Sequence, residues 1–105
     1  MDPTEAHQRR DEVQLLDVRE PAEWTAGHID GALHLPMGEL AARKDELADD
    51  RPIVAVCRSG GRSGQVTAAL RRAGYDAHNL EGGMQAWASA DLPFVSEGDA
   101  PPRVA

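Results

Sequence analysis

Short apolar runs alternate along this chain with stretches of helical spacing, a pattern that predicts a mostly parallel sheet with helices on both faces. Val13–Val18 and Ile53–Val56 read as strands, Ala32–Pro36 as a shorter one and Tyr75–Leu80 as a fourth. Ahead of them, Asp2-Pro3 with Glu5 three residues after the aspartate has the form of a helix N-cap with proline in the first turn, and predicts a short helix through about Arg10. Glu20–Trp24 starts a second helix that Gly27 can stop. Gly38–Ala48 carries Leu40 and Leu47 seven apart, the spacing of one helical face, before the polar turn Asp49–Pro52. Ser63–Ala73 sets Val66, Ala69, Leu70 and Ala73 on one stripe, with Arg71 and Arg72 near its C-terminus and Gly74 as a stop. Gly82-Gly83 reads as a turn and Met84–Ala90 as a last helix bearing Trp87. From Ser96 onward, Glu, Gly, Asp and two adjacent prolines predict a flexible tail, so residues 1–95 form the expected domain and 96–105 the tail.

Composition narrows the picture. A chain of 105 residues with 41% hydrophobic content suits one domain, large enough to bury roughly two-thirds of its unfolded surface. Eighteen acidic against 11 basic side chains give a net charge of -7, which argues against nucleic acid or an anionic membrane as the main partner. Met1–Glu5 shows no cationic segment followed by an apolar stretch, and no window has the length and hydropathy to span a bilayer. The expectation is a soluble, cytoplasmic protein. One cysteine cannot form an internal disulfide, which fits a reducing compartment and marks that residue as a candidate reactive thiol.

That cysteine, Cys57, follows the apolar run Ile53–Val56 and opens Cys57-Arg58-Ser59-Gly60-Gly61-Arg62-Ser63. A buried strand, a glycine-rich loop and then a helix aim backbone N–H groups and a helix N-terminus at the sulfur, and so favour its thiolate. Gly60 and Gly61 let the backbone turn its N–H groups inward. Arg58 and Arg62 add positive charge and are both candidates to meet an anionic substrate, while Ser63 can cap the next helix or bond within the loop. The position is the carboxyl end of a strand, where open α/β sheets bind ligands. Asp17, Arg19 and Glu23 read as a structural ion-pair and turn network. His7, His28, His34 and His78 lack ligand spacing, so no metal site is expected, and His28 reads as a turn or core residue. Trp24, Trp87, Met37 and Met84 read as packing residues, with Trp24 and Met84 as candidates to line a pocket mouth.

Four separated motifs then point the same way. Leu16–Pro21 with Glu23-Trp24, Gly27–Ala32 with Pro36, the Cys57–Ser63 loop, and Leu80–Gly83 with Trp87 together resemble a single-domain rhodanese-like sulfurtransferase, over about Val13–Pro93. The resemblance implies a single α/β domain with a mostly parallel central sheet of four or five strands. An N-terminal edge strand usual in the family is expected to be missing or reduced. Four residues, Arg58–Gly61, separate Cys57 from Arg62, where the related dual-specificity phosphatases have a longer loop matched to a phosphoryl group. What the resemblance implies is transfer of a sulfane sulfur from thiosulfate or a related anion, through a Cys57 persulfide, to cyanide, a thiol or a protein cysteine. Arg58, Ser59, Gly60, Gly61, Arg62 and Ser63 would bind substrate, and no cofactor is implied. The rival readings are a cysteine-dependent phosphatase or arsenate reductase, and a non-catalytic module that binds a partner.

Overall fold

The computed structural model describes all 105 residues. Its centre is a four-stranded, all-parallel sheet in the order β2-β1-β3-β4, with β1 at Gln14–Asp17, β2 at Leu33–His34, β3 at Ile53–Val56 and β4 at Ala77–Asn79. Leu16 aligns with Leu33 on one side and Ala55 on the other, and Ala55 aligns in turn with Asn79. Successive side chains along β3 alternate between the faces. Ile53, Ala55 and Cys57 enter one core cluster with Leu16, Val66 and Leu70, whereas Val54 and Val56 enter a second with Leu15, Leu80, Met84 and Trp87. Alternation therefore places the Cys57 side chain on the face covered by the helix that follows it.

That helix, α3, spans Gly61–Arg72; α1 at Pro3–Gln8 and α4 at Gly83–Ser89 cover the other face, and α2 spans Pro21–Ala26. Asp2 caps α1 by accepting the Glu5 N–H at 2.8 Å, and Glu20 and Glu23 form a capping box on α2, which Gly27 ends. The first strand connection runs outward to β2 and the third outward to β4, so the chain switches direction between the carboxyl ends of β1 and β3. No helix is long and apolar enough to cross a membrane.

Two expectations are corrected. Gly38–Ala48 is no helix but two 3-10 turns, Met37–Glu39 and Lys44–Glu46, because Leu47 is the one buried position it supplies. Between the two leucines the helical face would carry Arg43 and Lys44, three and four residues after Leu40, so there is no continuous apolar stripe for a helix to bury. In α3, Ala69 and Ala73 face outward, and the buried positions are Ser63, Val66, Thr67 and Leu70. Residues 96–105 are anchored at the C-terminal end of α2, where Glu97 N–H donates to the Thr25 carbonyl and Arg103 N–H to that of Ala26, both at 3.0 Å, while Val104 packs on the second core cluster.

Candidate active site

The candidate site is built on the turn between β3 and α3. Cys57 directly follows the strand with 1% of its surface exposed, and the loop after it folds over the sulfur. Gly60 takes φ +109°, a backbone region that side-chain-bearing residues rarely enter. The turn at this glycine brings its N–H to within 3.1 Å of Cys57 Sγ. Gly60 also serves as N-cap of α3, so the helix begins two residues earlier than its apolar spacing predicts. Ser63 is consequently inside the first turn rather than a cap, fully buried, with Oγ at 3.2 Å from Cys57 Sγ and 2.6 Å from Asn79 Oδ1.

Burial alone would push the Cys57 thiol up, since it penalises the thiolate. Hydrogen bonds from the Ser63 hydroxyl and from the backbone N–H groups of Ser63, Gly60 and Ser59 outweigh it and hold the thiol below its ordinary value. Short-range donors thus dominate the electrostatics at the sulfur, and the two arginines play a different part from the one their spacing predicts. Arg58 is exposed on the rim beside the exposed Ser59. Arg62 turns to α2, where its two Nη atoms donate to Glu23 Oε1 and Oε2 at 2.7 Å each. The pairing holds the Glu23 carboxyl below the usual carboxylate range and raises the Arg62 guanidinium above its ordinary value. Glu23 thus keeps its place in the turn network, accepting the Glu20 N–H at 3.1 Å and Arg19 Nη1 at its carbonyl at 3.3 Å, and its ion pair reaches the loop through Arg62, while Asp17 and Arg19 form a sealed pair behind it.

Two residues that the sequence did not place at the site belong to it. Gly83 sits at φ +59°, and a Cβ built there would lie 2.5 Å from the Cys57 carbonyl oxygen and 2.6 Å from that of Arg58. Its missing side chain lets α4 dock end-on against the loop, so that Met84 N–H donates to the Cys57 carbonyl at 2.8 Å and Gln85 N–H to that of Arg58 at 3.0 Å. The first carbonyls of the loop are thereby satisfied from outside, and the N–H groups beyond them are free to converge inward. Asn79, at the end of β4, donates from Nδ2 to the Gly60 carbonyl at 3.0 Å. A glycine pair immediately before a helix was the available sign for Gly83; a lone polar residue at a strand end offered none for Asn79.

A loop with converging N–H donors at the switch between β1 and β3 matches a known architecture. The family model described as the rhodanese-like domain matches residues 2–90. The chain belongs to the rhodanese-like domain family. A sulfurtransferase of Allochromatium vinosum is 46% identical over 87 residues, covering 82% of this chain and 81% of the relative. YtwF of Bacillus subtilis, a putative sulfurtransferase, is 40% identical over 83 residues, covering 79% and 81%. Three other curated relatives are longer, and the match spans 60%, 52% and 39% of their length. Among solved structures, a rhodanese-related protein from Thermoplasma volcanium superposes with a TM-score of 0.86 at 28% identity, covering 90% of this chain and 95% of its own. These relatives support a sulfur-transfer role for this rhodanese-like domain.

Within the rhodanese-like domain the expected packing residues behave as such. Met84 and Trp87 are fully buried, and His28 is buried and exchanges 2.8 Å backbone hydrogen bonds with Val95. Trp24 is sandwiched between the rings of His28 and His34, at 3.6 and 4.6 Å. No group of three or more His, Cys, Asp or Glu side chains is arranged to hold a metal. A cleft of about 530 Å³, lined by Asp49, Asp50, Pro52, Tyr75 and Asp76 among others, lies at the opposite end of the strands and takes no part in the loop.

Proposed function

We propose that the protein is a sulfurtransferase of the thiosulfate type, which carries sulfur as a persulfide on Cys57. The observation that carries this reading is the ring of donors, from Gly60, Ser59 and Ser63, converging on one buried sulfur whose thiol is held below its ordinary value. The thiolate attacks the outer sulfur of thiosulfate; a new S–S bond forms, the old one breaks, and sulfite leaves with the bonding electron pair. Negative charge ends on the terminal persulfide sulfur. A nucleophile such as cyanide, a low-molecular-weight thiolate or a protein cysteine thiolate then attacks that sulfur and returns Cys57 to its thiolate. Neither half-reaction requires a proton, which accords with a site built without a histidine base against the sulfur. Arg58, free on the rim, supplies charge for an incoming anion. Short loop spacing, with Arg62 four residues beyond the intervening segment's start at Arg58, supports sulfur over the larger phosphoryl group.

Intact-mass measurement tests the proposal. Thiosulfate alone is expected to add one sulfur atom to the protein, cyanide or a dithiol to remove it, and Cys57→Ser to abolish both changes while the fold is retained. The absence of any added sulfur from thiosulfate, or sulfur uptake by the serine variant, would overturn the mechanism. Hydrolysis of an aryl phosphate in place of sulfur uptake would favour the phosphatase reading.

A further inference from the structure

The Ser63 hydroxyl has one proton and two claimants. Its Oγ lies 2.6 Å from Asn79 Oδ1 and 3.2 Å from Cys57 Sγ, and a serine hydroxyl donates only once. The orientation of the Asn79 amide is set independently. Its other end lies 3.0 Å from the Gly60 carbonyl oxygen, which can only accept, so Nδ2 must face Gly60 and Oδ1 must face Ser63. Oδ1 can then only accept from the serine. When Cys57 is a thiol, the chain is complete: S–H donates to Ser63 Oγ, whose own O–H donates to Asn79. When Cys57 is a thiolate, the sulfur has no proton to give, and the serine proton is needed there. Asn79 Oδ1 must then release it.

We propose that Asn79 is a positioning residue that competes with the Cys57 sulfur for the Ser63 proton, holding it in the thiol and persulfide states and yielding it to the thiolate. In the persulfide, charge has moved to the outer sulfur, so Sγ no longer needs the serine as strongly and the proton returns to Asn79. The competition therefore favours the loaded over the unloaded thiolate form, an extension that rests on the sulfurtransferase reading. The proton-sharing itself does not. Other charged groups around the sulfur are Arg58 and Arg62 on the loop and Glu23 of α2, which Arg62 engages; the β4 contribution from Asn79 is uncharged.

The test is the pH dependence of Cys57 alkylation by iodoacetamide, which needs no sulfur donor, in the full chain with Asn79→Ala, Ser63→Ala and the double variant. Asn79→Ala is expected to free the serine proton and shift the alkylation midpoint down by about one unit, the scale of one charge-assisted hydrogen bond gained. Ser63→Ala should shift it up, and Asn79→Ala should have no effect in that background. Asn79→Asp, which keeps the acceptor and strengthens it, should shift the midpoint up by more when Ser63 is present than when it is alanine. An upward shift in Asn79→Ala, or a shift of equal size with and without Ser63, would show that Asn79 acts only by clamping Gly60 and would overturn the proposal. The extension is read separately, by intact mass in mixtures of thiosulfate and sulfite. Asn79→Ala should lower the loaded fraction; an unchanged fraction overturns the extension alone, and a complete absence of loading in the parent protein overturns the sulfurtransferase reading while leaving the alkylation result standing.

Discussion

Two arginine–carboxylate pairs stand at the carboxyl end of the sheet, both drawing on the β1–α2 segment, and they differ in what surrounds them. Arg19 and Asp17 are sealed, at 0% and 1% exposure. Nε donates to both carboxylate oxygens at 3.0 and 3.1 Å, Nη2 to Oδ2 at 2.8 Å and to the Gly27 carbonyl at 2.7 Å, and Nη1 to the Glu23 carbonyl at 3.3 Å. Arg62 and Glu23 make two shorter bonds, yet 36% and 18% of their side-chain surface remains in contact with solvent. The sealed pair ties the end of β1 to Glu23 within α2 and to its C-cap Gly27, and is closed to solvent. The open pair joins α2 to the Cys57 loop, and water or an anion can compete for it. Burial, more than bond length, separates a pair that holds the frame from one that sets the charge at the mouth.

The largest effect expected from this difference is on stability. Asp17→Ala would leave the Arg19 guanidinium buried without its counter-charge, and a loss of about 3–5 kcal/mol is expected. Against a total of about 5–15 kcal/mol for a domain, this is enough to unfold a substantial fraction of the protein. Urea denaturation measures it. A loss below about 1 kcal/mol, the range of exposed pairs, would erase the distinction between the two pairs.

Next in size is the catalytic consequence of Arg62→Ala. Removing this side chain takes away a cation near the sulfur and also uncovers the Glu23 carboxylate at the mouth, where it repels an anionic donor. Loss of about tenfold or more in kcat/KM for thiosulfate is expected, on the scale of one hydrogen bond to a charged group. Glu23→Gln in the same chain should restore part of that loss. If the double variant is as impaired as Arg62→Ala alone, the uncovered carboxylate is not the cause. Glu23→Gln by itself should act in the opposite direction and more weakly, lowering the KM for thiosulfate severalfold because Arg62 is no longer neutralised. That gain should fade at high salt. A raised KM would mean that Glu23 is needed to hold Arg62 in a productive position.

What could be read from the chain divides along similar lines. Ile53–Val56 is seen as a strand to the residue, since a continuous apolar run bounded by a polar turn and a glycine-rich loop leaves little alternative. The candidate loop stands out in the chain because its features are local: a cysteine, two glycines and the start of a helix lie within seven consecutive residues. Partners that arrive from elsewhere were not legible. Glu23 reaches Arg62 across 39 positions and Asn79 reaches Ser63 across 16, and neither carboxylate nor amide bears a mark of its destination. The segment from Gly38 to Ala48 misled for a physical reason of its own. Its hydrophobic spacing suited a helix, but Arg43 pairs with Glu39 and Glu46 on an exposed surface, and almost nothing there is buried to hold a longer helix in place.

The smallest expected effect is the pH dependence of the open pair. The Arg62 guanidinium holds the Glu23 carboxyl below the usual carboxylate range in the folded protein. A carboxyl whose value is lowered by folding binds its proton more readily in the unfolded chain. Its contribution to stability is therefore fully present above the unfolded value, near ~4.3, and is lost as pH falls through the lowered folded value. Because both side chains touch solvent, screening limits the contribution to about 1 kcal/mol or less. The stability difference between the parent protein and Glu23→Gln is expected to be constant from pH 7 down to about 5 and to shrink on further acidification. Urea unfolding across that range measures it, since other carboxylates titrate in both proteins and cancel in the difference. A difference that stays constant to pH 3 would mean that the two bonds from Arg62 contribute nothing that depends on the charge of Glu23, and the open pair would then be a contact of shape alone.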